Sequence, residues 1–176
     1  MAGKQLVDKF GRMSWDIYYL SIANVVSMRS IDPSTKHGAV IVSKNNRILS
    51  SGYNGPIKGS DDDAVPLTRP EKYYHLLHSE ENCLLAYSGS SQDIAESTCY
   101  VTGRPCHKCL RMLIQKGIKR IVHSGKFSLV IDEDDMKAQE LMLKNSDVKI
   151  EECDLDEVLL ALRNTTDYIF SKKSND

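Results

Sequence analysis

Residues 98–123 read TCYVTGRPCHKCLRMLIQKGIKRIVH, and the fold class turns on them. TCYV at 98–101 is a short apolar strand, residues 106–116 a helix closed by Gly117, and RIVH at 120–123 a further strand. Upstream, residues 79–88 read as a helix stopped by Gly89. Downstream, 134–144 looks helical and 148–151 extended. Asp154 with Glu157 reads as a capping box opening a last helix, with Leu155, Val158, Leu159 and Leu162 as its apolar stripe. Near the start, Ser14 caps a helix running to about residue 29, and Asp32-Pro33 ends it. Asp16 in its first turn and Arg29 in its last suit the dipole, and Tyr19, Ile22, Ala23 and Val26 share one face. Apolar runs at 39–42 and 48–51 flank Lys44-Asn45-Asn46-Arg47, an antiparallel hairpin with asparagines fit for a tight turn. Strands alternating with helices after that hairpin imply an α/β sheet covered on both faces. One domain over 14–170 is expected, with 1–13 an N-terminal extension and 171–176 a polar tail. Residues 52–77 show no periodicity, and so long a stretch inside a compact domain suggests a binding loop or lid.

Composition narrows the partners. The 23 basic and 24 acidic residues leave a net charge of −1, so no basic field gathers a polyanion and long nucleic acid is disfavoured. No apolar run approaches the roughly 20 residues that cross a bilayer. The opening MAGKQLVDKFGRMSW lacks the apolar stretch of a secretory signal. Five cysteines, an odd number, then point to reduced thiols and a cytoplasmic location. Cys83, Cys99 and Cys153 fall within elements and read as small buried hydrophobes.

Cys106 and Cys109 differ. Three residues apart at the start of a helix, they point the same way and can clasp one ion. The helix N-terminus lowers their thiol pKa towards the thiolate that zinc requires. His78, just before the helix at 79, makes a third ligand. Three protein ligands leave a fourth tetrahedral position for water, as in catalytic zinc sites, and no second Cys-x-x-Cys is present to close it. Glu80, two residues after His78, can reach that water without ligating. It then serves as a proton shuttle between that water and a substrate.

His78-Ser79-Glu80 and Pro105-Cys106-His107-Lys108-Cys109 together resemble the signature of zinc nucleobase deaminases. The neighbouring blocks Ser14-Trp15-Asp16, residues 29–35 (RSIDPST), Gly38-Ala39 and Gly52-Tyr53-Asn54-Gly55 are similar to those of the deoxycytidylate deaminases, over about residues 14–148. The resemblance implies a three-layer α-β-α fold around a five-stranded mixed sheet. It further implies one catalytic Zn2+ per chain, dCMP or a modified cytosine deoxynucleotide as substrate, a homo-oligomer (often a hexamer), and regulation by dCTP and dTTP.

By the same resemblance Asn54 contacts the nucleotide sugar; an amide between flexible residues can both donate to and accept from a hydroxyl. Its plainer reading is a turn asparagine. Arg29, with Ser30 and Lys36, is a candidate for the phosphate, or else only complements its helix dipole. Arg104 is a further substrate candidate, or a solvated arginine. Asp61-Asp62-Asp63 is either a Mg2+ site accompanying a regulatory nucleotide or a solvated acidic loop. His75 reads as a loop histidine rather than a second zinc ligand. Tyr73-Tyr74 either stacks a base or anchors the loop. The chain departs from the family at Ser79, usually alanine; at His37, usually apolar; and at Phe127-Ser128, where a Tyr-His pair is common. The last departure leaves another base, or a base within RNA or single-stranded DNA, as an alternative substrate. A non-catalytic zinc-binding regulatory subunit is the alternative of another class.

Overall fold

The computed structural model describes residues 7–125 and 132–171. The first helix, α1 (Trp15–Ser27), begins where the Ser14 hydroxyl accepts from the Ile17 amide at 3.4 Å. Strands β1 (Gly38–Val42) and β2 (Ile48–Tyr53) follow as an antiparallel hairpin, with Asn46 at φ 57° in its turn. β3 (Gly55–Pro56) and β4 (Leu76–Leu77) pair as a small separate ribbon. Next come α2 (Ser79–Ala86), a short α3 (Ser91–Ile94), β5 (Thr98–Val101) and α4 (His107–Gln115). The chain then runs through β6 (Arg120–His123), α5 (Glu133–Lys144), β7 (Lys149–Glu152) and α6 (Leu155–Ser171).

The main sheet has the order β2-β1-β5-β6-β7; β1 is antiparallel to both neighbours, whereas β5, β6 and β7 run parallel. All five residues of β1 are buried, as a strand covered on both faces must be. Its side chains alternate between two cores. Val40 and Val42 pack with Ile17, Leu20 and Ala23 of α1 and with Val158 and Ala161 of α6. Ala39 and Ile41 pack with Cys83 of α2 and Leu110 and Leu113 of α4. Each fully buried Leu or Ile contributes about 1.5–3 kcal/mol of hydrophobic stabilisation, so the sheet holds its helices by area rather than by any single contact. The three-layer α-β-α arrangement with a five-stranded mixed sheet is therefore present. No helix among the described residues is long and apolar enough to cross a membrane.

The end of the first helix differs from the sequence expectation. Helix α1 stops at Ser27, short of Arg29, because the last amides turn to i−3 partners: Met28 N–H donates to Val25 O and Arg29 N–H to Val26 O. Arg29 thus lies beyond the helix rather than in its last turn. The short β3, β4 and α3, and the 3-10 turns at 62–64 and 71–74, carry too few residues to show a period. At α6 the Asp154 carboxylate accepts from the Asp156 amide at 2.8 Å. Phe127, Ser128 and the tail from residue 172 lie outside the described residues.

Candidate active site

Two helix starts meet at the edge of the sheet. Residue 78 is the N-cap of α2 and residue 106 the N-cap of α4, each with extended backbone. Their position is set from behind. A Cβ on Gly52 of β2 would stand 2.3 Å from the Cys83 amide nitrogen and 2.7 Å from the Ser79 carbonyl oxygen, so α2 lies directly on the strand. The Glu81 carboxylate accepts from the His78 amide at 2.8 Å, closing the first turn of α2.

His78, Cys106 and Cys109 form the one group of metal-ligating side chains found among the described residues, with ligand atoms within 4.8 Å of one another. His78 Nδ1 lies 3.6 Å from Cys106 Sγ and 3.4 Å from Cys109 Sγ. Tetrahedral zinc, with Zn–N near 2.0 Å and Zn–S near 2.3 Å, sets such ligand atoms about 3.6 Å apart. The three residues fit that ion. Cys106 is held down to about 4, first by the hydrogen bond with Cys109 and then by His78. His78 is raised to about 9, chiefly by its hydrogen bond with Cys106, and the Cys109 thiol is pushed up by the contact with Cys106. The direction at Cys106 is the one a metal thiolate needs.

Glu80 is buried, 5% exposed, and does not join the ligand group. Burial pushes its carboxyl up, against the opposing pull of His78 and the Ser79 hydroxyl. Ser79, fully buried, donates from Oγ to Glu80 Oε2 at 2.8 Å. A pocket opens from His78, Ser79 and Glu80, with Leu76 and Leu77 on one wall and Asn54 on another. The Asn54 carboxamide is held on three sides. Oδ1 accepts from the His37 amide at 2.7 Å, and Nδ2 donates to Thr35 O at 2.9 Å and to Asp32 Oδ2 at 3.3 Å.

Sequence reasoning missed what stands behind Asn54. Asp32 and Lys72 form a buried ion pair at 2.6 Å, each side chain 4% exposed. Burial pushes the Asp32 carboxyl up, yet the Lys72 ammonium and the Ser34 groups outweigh it and leave it below its ordinary value. Arg69 and Tyr73 also line the pocket, with the guanidinium 5.9 Å from the ring centroid. Nothing in the aperiodic residues 52–77 marks Lys72 or Arg69 as different from other solvated cations. Only folding brings them to Asp32 and Asn54.

Most of the remaining candidates lie outside that pocket. Arg29 lines a separate concavity together with Lys58, Asp62 and Asn82. The Ser30 hydroxyl accepts from the Asp32 amide at 3.2 Å, while the Lys36 ammonium donates to the Ser30 carbonyl. Arg104 Nε donates to Gln139 Oε1 at 3.0 Å. Asp61, Asp62 and Asp63 are exposed, as are His75 and Tyr74. His37 reaches the pocket, and its Nδ1 stands 3.2 Å from Thr102 Oγ1.

Residues 13–124 match the family described as the cytidine and deoxycytidylate deaminase zinc-binding region. The chain is 41% identical over 122 residues to a probable deoxycytidylate deaminase of Caenorhabditis elegans, covering 67% of this chain and 61% of that protein's length. It is 32% identical over 143 residues to the deoxycytidylate deaminase of Homo sapiens, covering 77% and 78% of the two chains. Among solved structures, the dCMP deaminase from cyanophage S-TIM5 in complex with dCMP and dUMP superimposes with a TM-score of 0.60. That similarity, at 27% identity, covers 81% of this chain and 100% of the phage chain.

Proposed function

Because this chain belongs to the cytidine and deoxycytidylate deaminase family, we propose that it hydrolyses the exocyclic amine of dCMP, or of a modified cytosine deoxynucleotide. The products are dUMP and ammonia. Buried Glu80, beside the His78–Cys106–Cys109 group at the end of a pocket, is the observation that carries this reading. Zinc in such a site supplies Lewis acidity that brings the pKa of water to about 7. With zinc held there, Glu80 would take a proton from water at its carboxylate and donate it to the ring nitrogen, then take the adduct's hydroxyl proton and pass it to the departing amine. Burial, by raising the Glu80 carboxyl, favours a group that both takes and returns a proton.

The remaining pocket residues suit a nucleotide. Leu76 and Leu77 offer the pyrimidine an apolar wall. Asn54 has both amide hydrogens engaged, so it meets a sugar hydroxyl as an acceptor through the second lone pair of Oδ1. Arg69, at the same pocket, is the cation we assign to the phosphate. The family resemblance extends the proposal to a homo-oligomer regulated by dCTP and dTTP. The odd cysteine count extends it to a cytoplasmic location, and the acidic run Asp61-Asp62-Asp63 is either a Mg2+ site accompanying the triphosphate or a solvated loop.

An ammonia-release assay over dCMP, deoxycytidine, 5-substituted analogues and oligonucleotides, with and without dCTP, tests this. dCMP should turn over in preference to deoxycytidine, and Arg69→Ala should erase that preference. Glu80→Gln should keep its zinc and lose turnover by at least about 10²-fold. Full activity in that variant would remove Glu80 from the chemistry. Deamination confined to oligonucleotides would move the substrate to a polynucleotide.

A further inference from the structure

The residues on either side of Cys106 are held by one face of α5. Asp135 and Gln139 stand four residues apart on that helix and therefore project together. The Asp135 carboxylate accepts from the His107 amide, at 3.1 Å to Oδ1 and 3.3 Å to Oδ2, and lies 2.7 Å from His107 Nδ1. The His107 amide is among the first of α4 and has no partner within its own helix. Gln139 is fully buried. Its Nε2 donates to the Pro105 carbonyl at 3.0 Å and to Asp135 Oδ1 at 2.6 Å, and its Oε1 accepts from Arg104 Nε at 3.0 Å. Residues 104, 105 and 107 are thus all tied to one pair of side chains, and the untied residue between them is the metal ligand.

We propose that Asp135 and Gln139 are positioning residues for the metal centre, a clamp through which α5 fixes the Pro105-Cys106-His107 turn and hence the direction of the Cys106 thiolate. A buried amide with every hydrogen committed has one orientation, because any other leaves a donor without a partner at a cost of about 1–3 kcal/mol. Outer-shell partners of this kind typically change metal affinity about 10–100-fold when removed. The clamp rests on the zinc reading of His78, Cys106 and Cys109, and its test separates the two.

The test uses zinc-loaded full-length protein. Zinc release to a chromophoric chelator is timed for wild type, Asp135→Ala, Asp135→Asn and Gln139→Leu, and thermal unfolding is followed with and without the metal. Asp135→Ala and Gln139→Leu should release zinc about 10–100-fold faster. Asp135→Asn, which keeps an oxygen for the His107 amide, should fall between them and wild type. The unfolding temperature of metal-free protein should change less than that of the loaded form. Should Gln139→Leu fail to fold, Asp135→Ala decides alone. Release at the wild-type rate from folded Asp135→Ala overturns the clamp and leaves the zinc site standing. Wild type that takes up no zinc overturns the site itself.

Discussion

At the scale of single residues, the Ser79–Glu80 contact is the sharpest feature. Its 2.8 Å hydrogen bond engages one carboxylate oxygen of a residue that lines the pocket. A carboxylate that must move a proton between two positions gains from having its plane fixed, and a rigid Oγ donor on the neighbouring residue fixes it. Removing one such bond costs about 0.5–1.5 kcal/mol, equivalent to roughly two- to tenfold in rate. Ser79→Ala should therefore lower kcat by about that factor while KM and zinc content stay unchanged. An unchanged kcat would make the hydroxyl a bystander. The four residues of the proposed centre were legible before folding because Cys106 and Cys109 stand three apart at a helix start, and because His78-Ser79-Glu80 and Pro105–Cys109 together resemble the deaminase signature. Asp32, Lys72, Arg69 and Gln139 were not. Asp32 and Lys72 meet across 40 residues of chain, and a lysine in a polar loop gives no sign that it will be buried.

At the scale of elements, the aperiodic run between β2 and α2 is tied to the turn after α1 by a buried charge pair, in addition to its own β3–β4 ribbon. Lys72 Nζ reaches Asp32 at 2.6 Å and Ser34 Oγ at 2.5 Å, pinning that run to the turn after α1. The same Asp32 carboxylate holds Asn54. Breaking a buried pair from one side costs about 3–5 kcal/mol, because the remaining charge stays desolvated. Lys72→Met should destabilise the protein by about that amount in denaturant unfolding, and Asp32→Asn added to it should recover much of the loss. Equal losses in the single and double variants would mean that the pair is not the tie. The expectation that this stretch forms a binding loop was readable as a lack of period. Its 3-10 turns and two-residue strands were not, being set by tertiary contacts that no local pattern records. The long elements α1, α4, α5 and α6 were legible for the opposite reason: each shows a full apolar face or a cap.

At the scale of the whole molecule, His37 joins the first helix–strand connection to the end of the neighbouring central strand β5. Its amide holds Asn54, and its ring meets Thr102 beyond the end of β5. In the metal-free protein, burial first, then His78 and Lys72, hold the ring down to about 4, with Asp32 opposing. The unfolded chain would titrate near 6.5. Between these values the unfolded state binds one more proton than the folded state, so stability rises with pH. The contribution is complete above about pH 6.5 and is lost as pH falls towards 4. Between pH 7 and 4.5 it amounts to roughly 2–3 kcal/mol. Acid also removes metal from thiolate sites, so the wild-type slope alone would mix two causes. His37→Asn separates them, because its metal ligands are those of wild type while the titrating ring is gone. Urea unfolding of both proteins at pH 7 and 4.5 should show wild type losing about 2–3 kcal/mol more than the variant. Equal losses would assign the acid sensitivity to the metal ligands and leave His37 as a packing residue.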